Sequence, residues 1–111
     1  MRVSNNKARD YVNILEEFQG SNMFGKWHSW DEGVDKLYVV YSYGHHFPMY
    51  IYDDRENKWV GNKDKYSRST TRHQSQARPS GEDIIWLDTY EVKEVINNRG
   101  IMGYLINKAQ H

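Results

Sequence analysis

The chain has 111 residues, which is enough for one hydrophobic core and too few for two, so we expect a single domain over residues 1–111. The 15 basic and 15 acidic residues cancel, so no overall electric field favours a nucleic acid or a membrane surface as the partner. Because there is no cysteine, disulfides, thiolate metal sites and a cysteine nucleophile are excluded.

The apolar segments of the chain bear on its location. Residues 1–7 are polar and lack the apolar stretch of a signal peptide. The longest apolar runs, at 37–43 and 84–87, are much shorter than the roughly 20 residues that span a bilayer. We therefore expect a cytoplasmic protein with no membrane association.

The first predicted element is an amphipathic helix over residues 7–18, capped within 4–6 and ended by Gly20. The following stretch, 21–35, has no clear hydrophobic period, and we predict that it is a loop. The helix is indicated by apolar residues that recur at spacings of three and four, namely Ala8, Tyr11, Val12, Leu15 and Phe18.

Three strands are predicted next, and they form an antiparallel meander. The segment 37–43 is dense in β-branched and aromatic residues, and a short connection containing Gly44 joins it to 47–52 as a hairpin. A turn rich in acidic residues leads into the third strand at 58–60. Pro48 has no amide donor, so it should lie at the start of a strand or at a sheet edge.

Residues 61–80 contain little apolar material, and we predict that they form a long loop against the turn at His45 and His46. A loop of this length within a compact domain is usually functional or disordered.

A short buried strand is predicted at 84–87. Asp88 and Glu91 have the spacing of a capping box, which opens a helix over 89–98 with Gly100 at its C-terminal cap. The pattern of residues 101–106 fits either a strand or a helix. The fold class that follows is α+β: a small antiparallel sheet, made of the meander 37–60 and the strand near 84–87, packed by helices 7–18 and 89–98.

The segment 61–80 also carries the densest group of polar side chains. It has five basic residues against the single acid Asp64, and its hydroxyl and amide groups suit the recognition of phosphates or carboxylates. A solvated loop that is basic by chance, or a loop tied to the hairpin by side-chain hydrogen bonds, is the alternative interpretation. The predicted binding residues are Lys63, Lys65, Tyr66, Arg68, Arg72, His73, Arg78, His45 and His46.

The histidines allow a further possibility. If the loop folds back, His45, His46 and His73 could form a metal site or an acid–base pair with Asp53, Asp54 or Asp64. Their spacing matches no recognised ligand signature. We assign no catalytic residue, no metal and no cofactor.

Three short motifs together resemble a known group of proteins. YSYGHHFP at 41–48, DKYS at 64–67 and TTRHQSQARP at 70–79 resemble a family of small uncharacterised proteins from bacteriophages and mobile elements. The resemblance covers about residues 37–80, and it implies a phage-encoded accessory protein in the bacterial host cytoplasm. It implies no mechanism. The residues that match are Tyr41, Ser42, Tyr43, Gly44, His46, Phe47, Pro48, Asp64, Lys65, Tyr66, Ser67, Thr70, Thr71, His73, Ser75, Arg78 and Pro79.

Three functional hypotheses follow. The favoured one is a non-enzymatic protein that binds a host macromolecule, most naturally a host protein, and blocks a defence system such as CRISPR or restriction. The second is a nucleic-acid-binding protein that holds phosphates through the basic loop 61–80, although the zero net charge stands against it. The third is a small metal-dependent nuclease or phosphoesterase that uses His45, His46 and His73. The sequence leaves the partner's identity and the oligomeric state open.

Overall fold

The computed structural model describes residues 2–30, 33, 35–81 and 83–110, which form an α+β fold built on one six-stranded sheet. A short 3-10 turn, Asn5–Lys7, leads into the first helix. The elements are α1 (Ala8–Asn13), β1 (Phe18–Gln19), β2 (Met23–Trp30), β3 (Asp35–Ser42), β4 (Pro48–Asp53), β5 (Lys58–Asn62), α2 (Arg68–Ala77), β6 (Ile84–Leu87), α3 (Thr89–Asn97) and α4 (Ile101–Ala109).

The strands lie in sequence order across the sheet. Strands β1 to β5 form an antiparallel meander, which contains the meander predicted at 37–60. The last pair is parallel, because α2 carries the chain back from the end of β5 to the start of β6, and Trp59 pairs with Ile84. The predicted sheet of antiparallel strands is therefore corrected at this one edge.

Helices cover both faces of the sheet. Helices α1 and α2 pack on one face, where Val12 and Ala77 share a core with Tyr38. Helices α3 and α4 pack on the other, where Val92 shares a second core with Val39. Neighbouring residues of β3 serve the two cores because successive side chains of a strand point to opposite faces.

The predicted helix 7–18 is shorter than the hydrophobic period indicates. The helix ends at Asn13, Leu15 takes a left-handed backbone with φ of 58°, and Phe18 begins β1. Phe18 nevertheless lies in the same core as Val12. The apolar spacing therefore continues past the end of the helix because β1 returns to the core that α1 covers, and Gly20 ends no helix.

The predicted loop 21–35 contains the eight-residue strand β2. The sequence does not predict this strand because it contains Gly25, and glycine is uncommon inside strands. The structure requires glycine there: a Cβ atom would lie 2.5 Å from the Tyr38 hydroxyl oxygen and 2.6 Å from the Phe18 ring.

The predicted loop 61–80 is wrong for most of its length. Gly61 and Asn62 complete β5, and residues 68–77 form α2. Ser67 caps this helix, since its Oγ accepts the Thr70 backbone N–H at 3.2 Å and the Thr70 hydroxyl oxygen accepts the Ser67 N–H at 2.8 Å. The residues that α2 buries have helical spacing but are mostly polar: Thr70, His73, Gln74 and Ala77.

The strand predicted at 84–87 forms as β6, but none of its four residues is buried, because β6 lies at the edge of the sheet. Two further local predictions are confirmed. Pro48 is the first residue of β4, and the Asp88 carboxylate accepts the Glu91 backbone N–H at 2.8 Å in the predicted capping box. Helix α3 ends one residue earlier than predicted. Arg99, with φ of 61°, takes the left-handed position after it, and Gly100, with φ of 138°, precedes α4.

Residues 101–106, which the sequence left ambiguous, belong to α4. This helix buries Ile101 and Tyr104 against the sheet and leaves Met102, Leu105 and Ile106 about half exposed. Across the described part of the chain, no helix combines the length and apolar character needed to cross a membrane.

A buried carboxylate joins α4 to the sheet. Asp53, at the end of β4, is 3% exposed. Its Oδ2 accepts the backbone N–H of Ile101 at 2.8 Å, and its Oδ1 accepts those of Arg55 and Glu56 at 3.0 and 3.1 Å. One side chain thus closes the turn after β4 and caps a distant helix.

We expect Asp53→Ala to lower the free energy of unfolding by about 3 kcal/mol, because it leaves one buried and two partly buried backbone donors without an acceptor. Urea-induced unfolding measures the change. The matched control is the neighbouring exposed residue in Asp54→Ala, for which we expect a change within about 0.5 kcal/mol. Equal losses in the two variants would contradict the capping role.

Candidate functional site

The site lies where the two parallel strands end. The chain leaves β5 after Asn62 and enters α2 on one face of the sheet, and it leaves β6 after Leu87 and enters α3 on the other face. Neighbouring parallel strands whose helices diverge in this way leave a crevice at their carboxyl ends, and ligands of open α/β sheets bind in such crevices. From this position alone, residues 62–67 and 88–93 are the candidates to line a binding site.

The buried side chain of Asn62 joins the elements that meet at this point. Its amide nitrogen donates to the Pro48 carbonyl at 2.8 Å and to the Thr89 hydroxyl at 3.1 Å, and its Oδ1 accepts the Asp64 backbone N–H at 2.9 Å. The side chain therefore connects β4, the end of β5 and the start of α3. Every polar atom of this buried amide has a partner, as burial requires.

Gln74 fixes the same segment from the side of α2. Its buried Nε2 donates to the carbonyls of Asn62 and Asp64, both at 2.9 Å, and its Oε1 accepts the Lys65 ammonium at 3.4 Å. These bonds hold the backbone from 62 to 65 in one path. The residues that follow β5 are thus a fixed part of the structure.

Asp64 lies between the two strand ends. Its Oδ2 accepts the Thr89 backbone N–H at 2.8 Å. This hydrogen bond is the main reason that the pKa of the Asp64 carboxyl lies below its usual range, so the group is ionised at neutral pH. The charge occupies the N-terminus of α3, where a helix stabilises an anion.

An open cleft of about 550 Å³ lies over these residues. Lys65, Lys93 and His46 supply its basic groups, and Phe47 and Tyr66 supply two aromatic rings. Tyr66 is 74% exposed, and its ring centroid lies 5.8 Å from that of the buried Phe47. Five residues of the motifs noted in the sequence therefore line one cleft: His46, Phe47, Asp64, Lys65 and Tyr66.

A basic face adjoins the cleft, and we define it as Lys63, Lys65, Arg68 and Arg72, all of which are exposed. Arg68 and Arg72 are one turn apart on the outer side of α2. Within the described residues, neither guanidinium makes a hydrogen bond or an ion pair. Both are therefore available to a partner.

Arg78 lies away from the basic face. It follows α2 at the C-terminal end, and its guanidinium lies 5.4 Å from the ring centroid of Trp86 on β6. The indole packs over Gly61, where a Cβ atom would lie only 2.6 Å from it. This cation–π contact gives Arg78 a structural role in holding β6.

His73 faces inward. It is buried beneath α2, where its Nδ1 lies 2.7 Å from the Ser42 hydroxyl and its ring packs beside Tyr43. Burial, reinforced by the charge of Arg72, lowers the pKa of the His73 imidazole, so the neutral form is favoured. At this buried position the His73 side chain is not placed to contact a partner directly.

The three histidines of the metal hypothesis are not brought together. His45 packs against Tyr41 and Phe24, on the face of the sheet that α3 and α4 cover, while His73 lies on the opposite face. In the described part of the chain, no group of three histidine, aspartate or glutamate side chains is placed to hold a metal ion. Only His46 reaches the cleft.

Several residues of the site were missed by the sequence interpretation. Asn62, Gln74, Thr89 and Lys93 come from three elements, β5, α2 and α3, that only the fold brings together. The available signal was local: a polar residue, Asn62, ends an otherwise apolar strand, and Thr89 follows the next strand end by two residues. Such positions in a pair of parallel strands meet at one sheet edge.

The lowered pKa of His73 predicts a loss of stability in acid. Below about pH 6.5 the unfolded imidazole takes up a proton that the folded one resists, so the free energy of unfolding falls as the pH falls. His28, bonded to the Tyr41 hydroxyl on the other face, also has a lowered pKa, mainly through burial.

We expect His73→Gln and His28→Gln each to remove part of the difference in unfolding free energy between about pH 7.5 and about pH 5.5. The two parts should add in the double variant, since the rings lie on opposite faces of the sheet. Urea titrations at both pH values measure this. A pH dependence that is unchanged in His73→Gln would show that this ring is protonated equally in both states.

Comparisons of the chain with protein-family models, with curated proteins and with solved structures find no match. No relative therefore supplies a residue role, a substrate or a partner for this site. The groups that the fold itself brings to the ends of β5 and β6 are the basis for inferring a function.

Proposed function

We propose that the protein is a phage-encoded accessory protein that binds a host protein through its basic face and acts without catalysis. The carrying observation is the pair Arg68 and Arg72, exposed on consecutive turns of α2 with no ion-pair partner among the described residues. The phage-like motifs support a target in an infected bacterium, such as a defence protein of the CRISPR or restriction type.

The rigidity of α2 favours an interface role for these arginines. The helix is capped at Ser67 and anchored by the hydrogen bonds of His73 and Gln74, so its outer side chains start from a fixed backbone. Less conformational entropy is then lost on binding. Arginine also forms two parallel hydrogen bonds with a carboxylate and is enriched among the residues that dominate interface energies.

The chemistry of the partner follows from the charge of the surface. The basic face holds four cations, and the nearest acid, Asp64, is bonded to Thr89. An acidic protein surface complements such a face. Because the chain as a whole is neutral, no overall field would draw in a long polyanion, which makes a protein the better match than a nucleic acid.

Nucleic-acid binding is the second candidate, and the exposed ring of Tyr66 between Lys65 and Arg68 is the observation that favours it. Aromatic rings beside cations stack bases of single strands. Such binding would weaken steeply with salt and would disappear after nuclease treatment. Binding of an acidic protein would survive nuclease.

The test is capture of partners from bacterial lysate by the tagged full chain, with and without nuclease, followed by identification of the retained molecules. We expect a nuclease-resistant protein. Arg68→Glu/Arg72→Glu should lower its capture by about tenfold or more, because both anchors become repulsive.

The matched control, Lys36→Glu/Lys58→Glu, makes the same change of charge at exposed residues that begin β3 and β5. Its capture should stay within about twofold of the original chain, since these lysines lie outside the basic face. Equal capture by both double variants would remove the basic face from the proposal, and retention that disappears with nuclease would favour the second candidate.

A further inference from the structure

We propose that the cleft at the ends of β5 and β6 binds a free mononucleotide, with the phosphate between Lys65 and Lys93 and the base on Tyr66. This site adjoins the basic face and shares Lys65 with it, but nucleotide binding there does not require Arg68 or Arg72. The argument rests on the topology, the charges, the aromatic surface and the size of the cleft.

The two lysines come from the starts of two different helices. Lys65 lies just before the N-terminus of α2, and Lys93 lies one turn into α3. At α3 the partial positive charge of the helix N-terminus is already met by carboxylates, because Asp88 caps the helix and Asp64 accepts the Thr89 N–H. Both lysines line the same cleft, so a phosphate bound there would be attracted by both ammonium groups.

The carboxylate already present does not cancel this charge. Asp64 directs Oδ2 to the Thr89 N–H, and the two lysines exceed it by one positive charge. Lys93 makes no hydrogen bond or ion pair with another described residue, and Lys65 contacts only the neutral amide of Gln74. The Asp64 carboxylate lines the cleft, where it can accept a hydrogen bond from a sugar hydroxyl.

Tyr66 provides the surface for an aromatic base. Its ring is supported on one side by the buried Phe47, and about three quarters of the residue is open to solvent. A tyrosine held in this way is a stacking platform whose ordering needs no further contact. Stacking tolerates any base, because every base has a π face, so the proposal names the class of ligand and not the base.

The dimensions and position of the cleft agree with this ligand. Its volume of about 550 Å³ lies within the range of sites that hold small molecules. It lies at the point where the helices after two parallel strands diverge, which is where nucleotides bind in open α/β sheets.

The test is calorimetric titration of the full chain with AMP, UMP, adenosine and inorganic phosphate in separate experiments. We expect AMP to bind with a Kd between about 10 µM and 1 mM, and adenosine and phosphate to bind at least about tenfold more weakly. Phosphate binding as tightly as AMP would overturn the stacking of a base on Tyr66. No measurable binding of AMP or UMP would overturn the proposal.

Variants locate the site. Lys65→Ala/Lys93→Ala should weaken AMP binding by about tenfold or more, and Tyr66→Ala should weaken it while leaving the weak phosphate binding unchanged. The control, Lys58→Ala, removes an exposed lysine from the other end of β5 and should bind as the original chain does. All four side chains are exposed, so these variants should keep the original thermal midpoint.

Unchanged affinity in the lysine double variant would place the nucleotide elsewhere and overturn the assignment. Single-stranded DNA that binds where AMP does not would also overturn it, since the cleft would then hold only a chain of nucleotides. The Arg68→Glu/Arg72→Glu variant separates the two proposals: loss of the protein partner with retained AMP binding supports two independent sites.

Discussion

The buried amide of Asn62 is the constraint on which the site depends. Two parallel strands end beside each other here, and their helices leave in opposite directions, so several backbone groups lose their sheet partners at the same point. Asn62 and Gln74 replace those partners with side-chain bonds to Pro48, Thr89 and the backbone of 62–64. Each buried polar group left without a partner would destabilise the fold by about 1–3 kcal/mol. The cleft is therefore rigid because its floor is a closed network of hydrogen bonds.

The parts of the fold that the sequence predicts are those in which buried residues are apolar. Residues 37–43 and 47–52 carry mostly buried β-branched and aromatic side chains. Residues 84–87 carry the same residue types although none is buried at this sheet edge, and the Asp88–Glu91 capping box marks α3 by its own hydrogen bonds. Strand β2 is not predicted because the close packing of Tyr38 and Phe18 on Gly25 requires glycine, a residue that is uncommon inside strands. Helix α2 is not predicted because the side chains that it buries are mostly polar, so the hydropathy of the segment resembles that of a loop.

The site could be predicted in its local part only. Lys63, Lys65, Tyr66 and Arg68 are close in space because they are close in sequence, so a single basic segment reveals them. The turn of α2 sends His73 inward, and Arg78 leaves the far end of the helix to meet Trp86. Lys93 and Thr89 reach the cleft through the parallel pairing of β6, which no short motif encodes.

The parallel pairing of β5 with β6 has the largest entropy cost of loop closure in the sheet. Each pairing among β1 to β5 closes a short connection, whereas pairing β6 with β5 closes a segment that contains all of α2. Topology of this kind makes the last pairing the most non-local contact in the sheet. A ligand held between residues 65 and 93 would act as a reversible cross-link across that closure, so its concentration would set how firmly the last strand is attached.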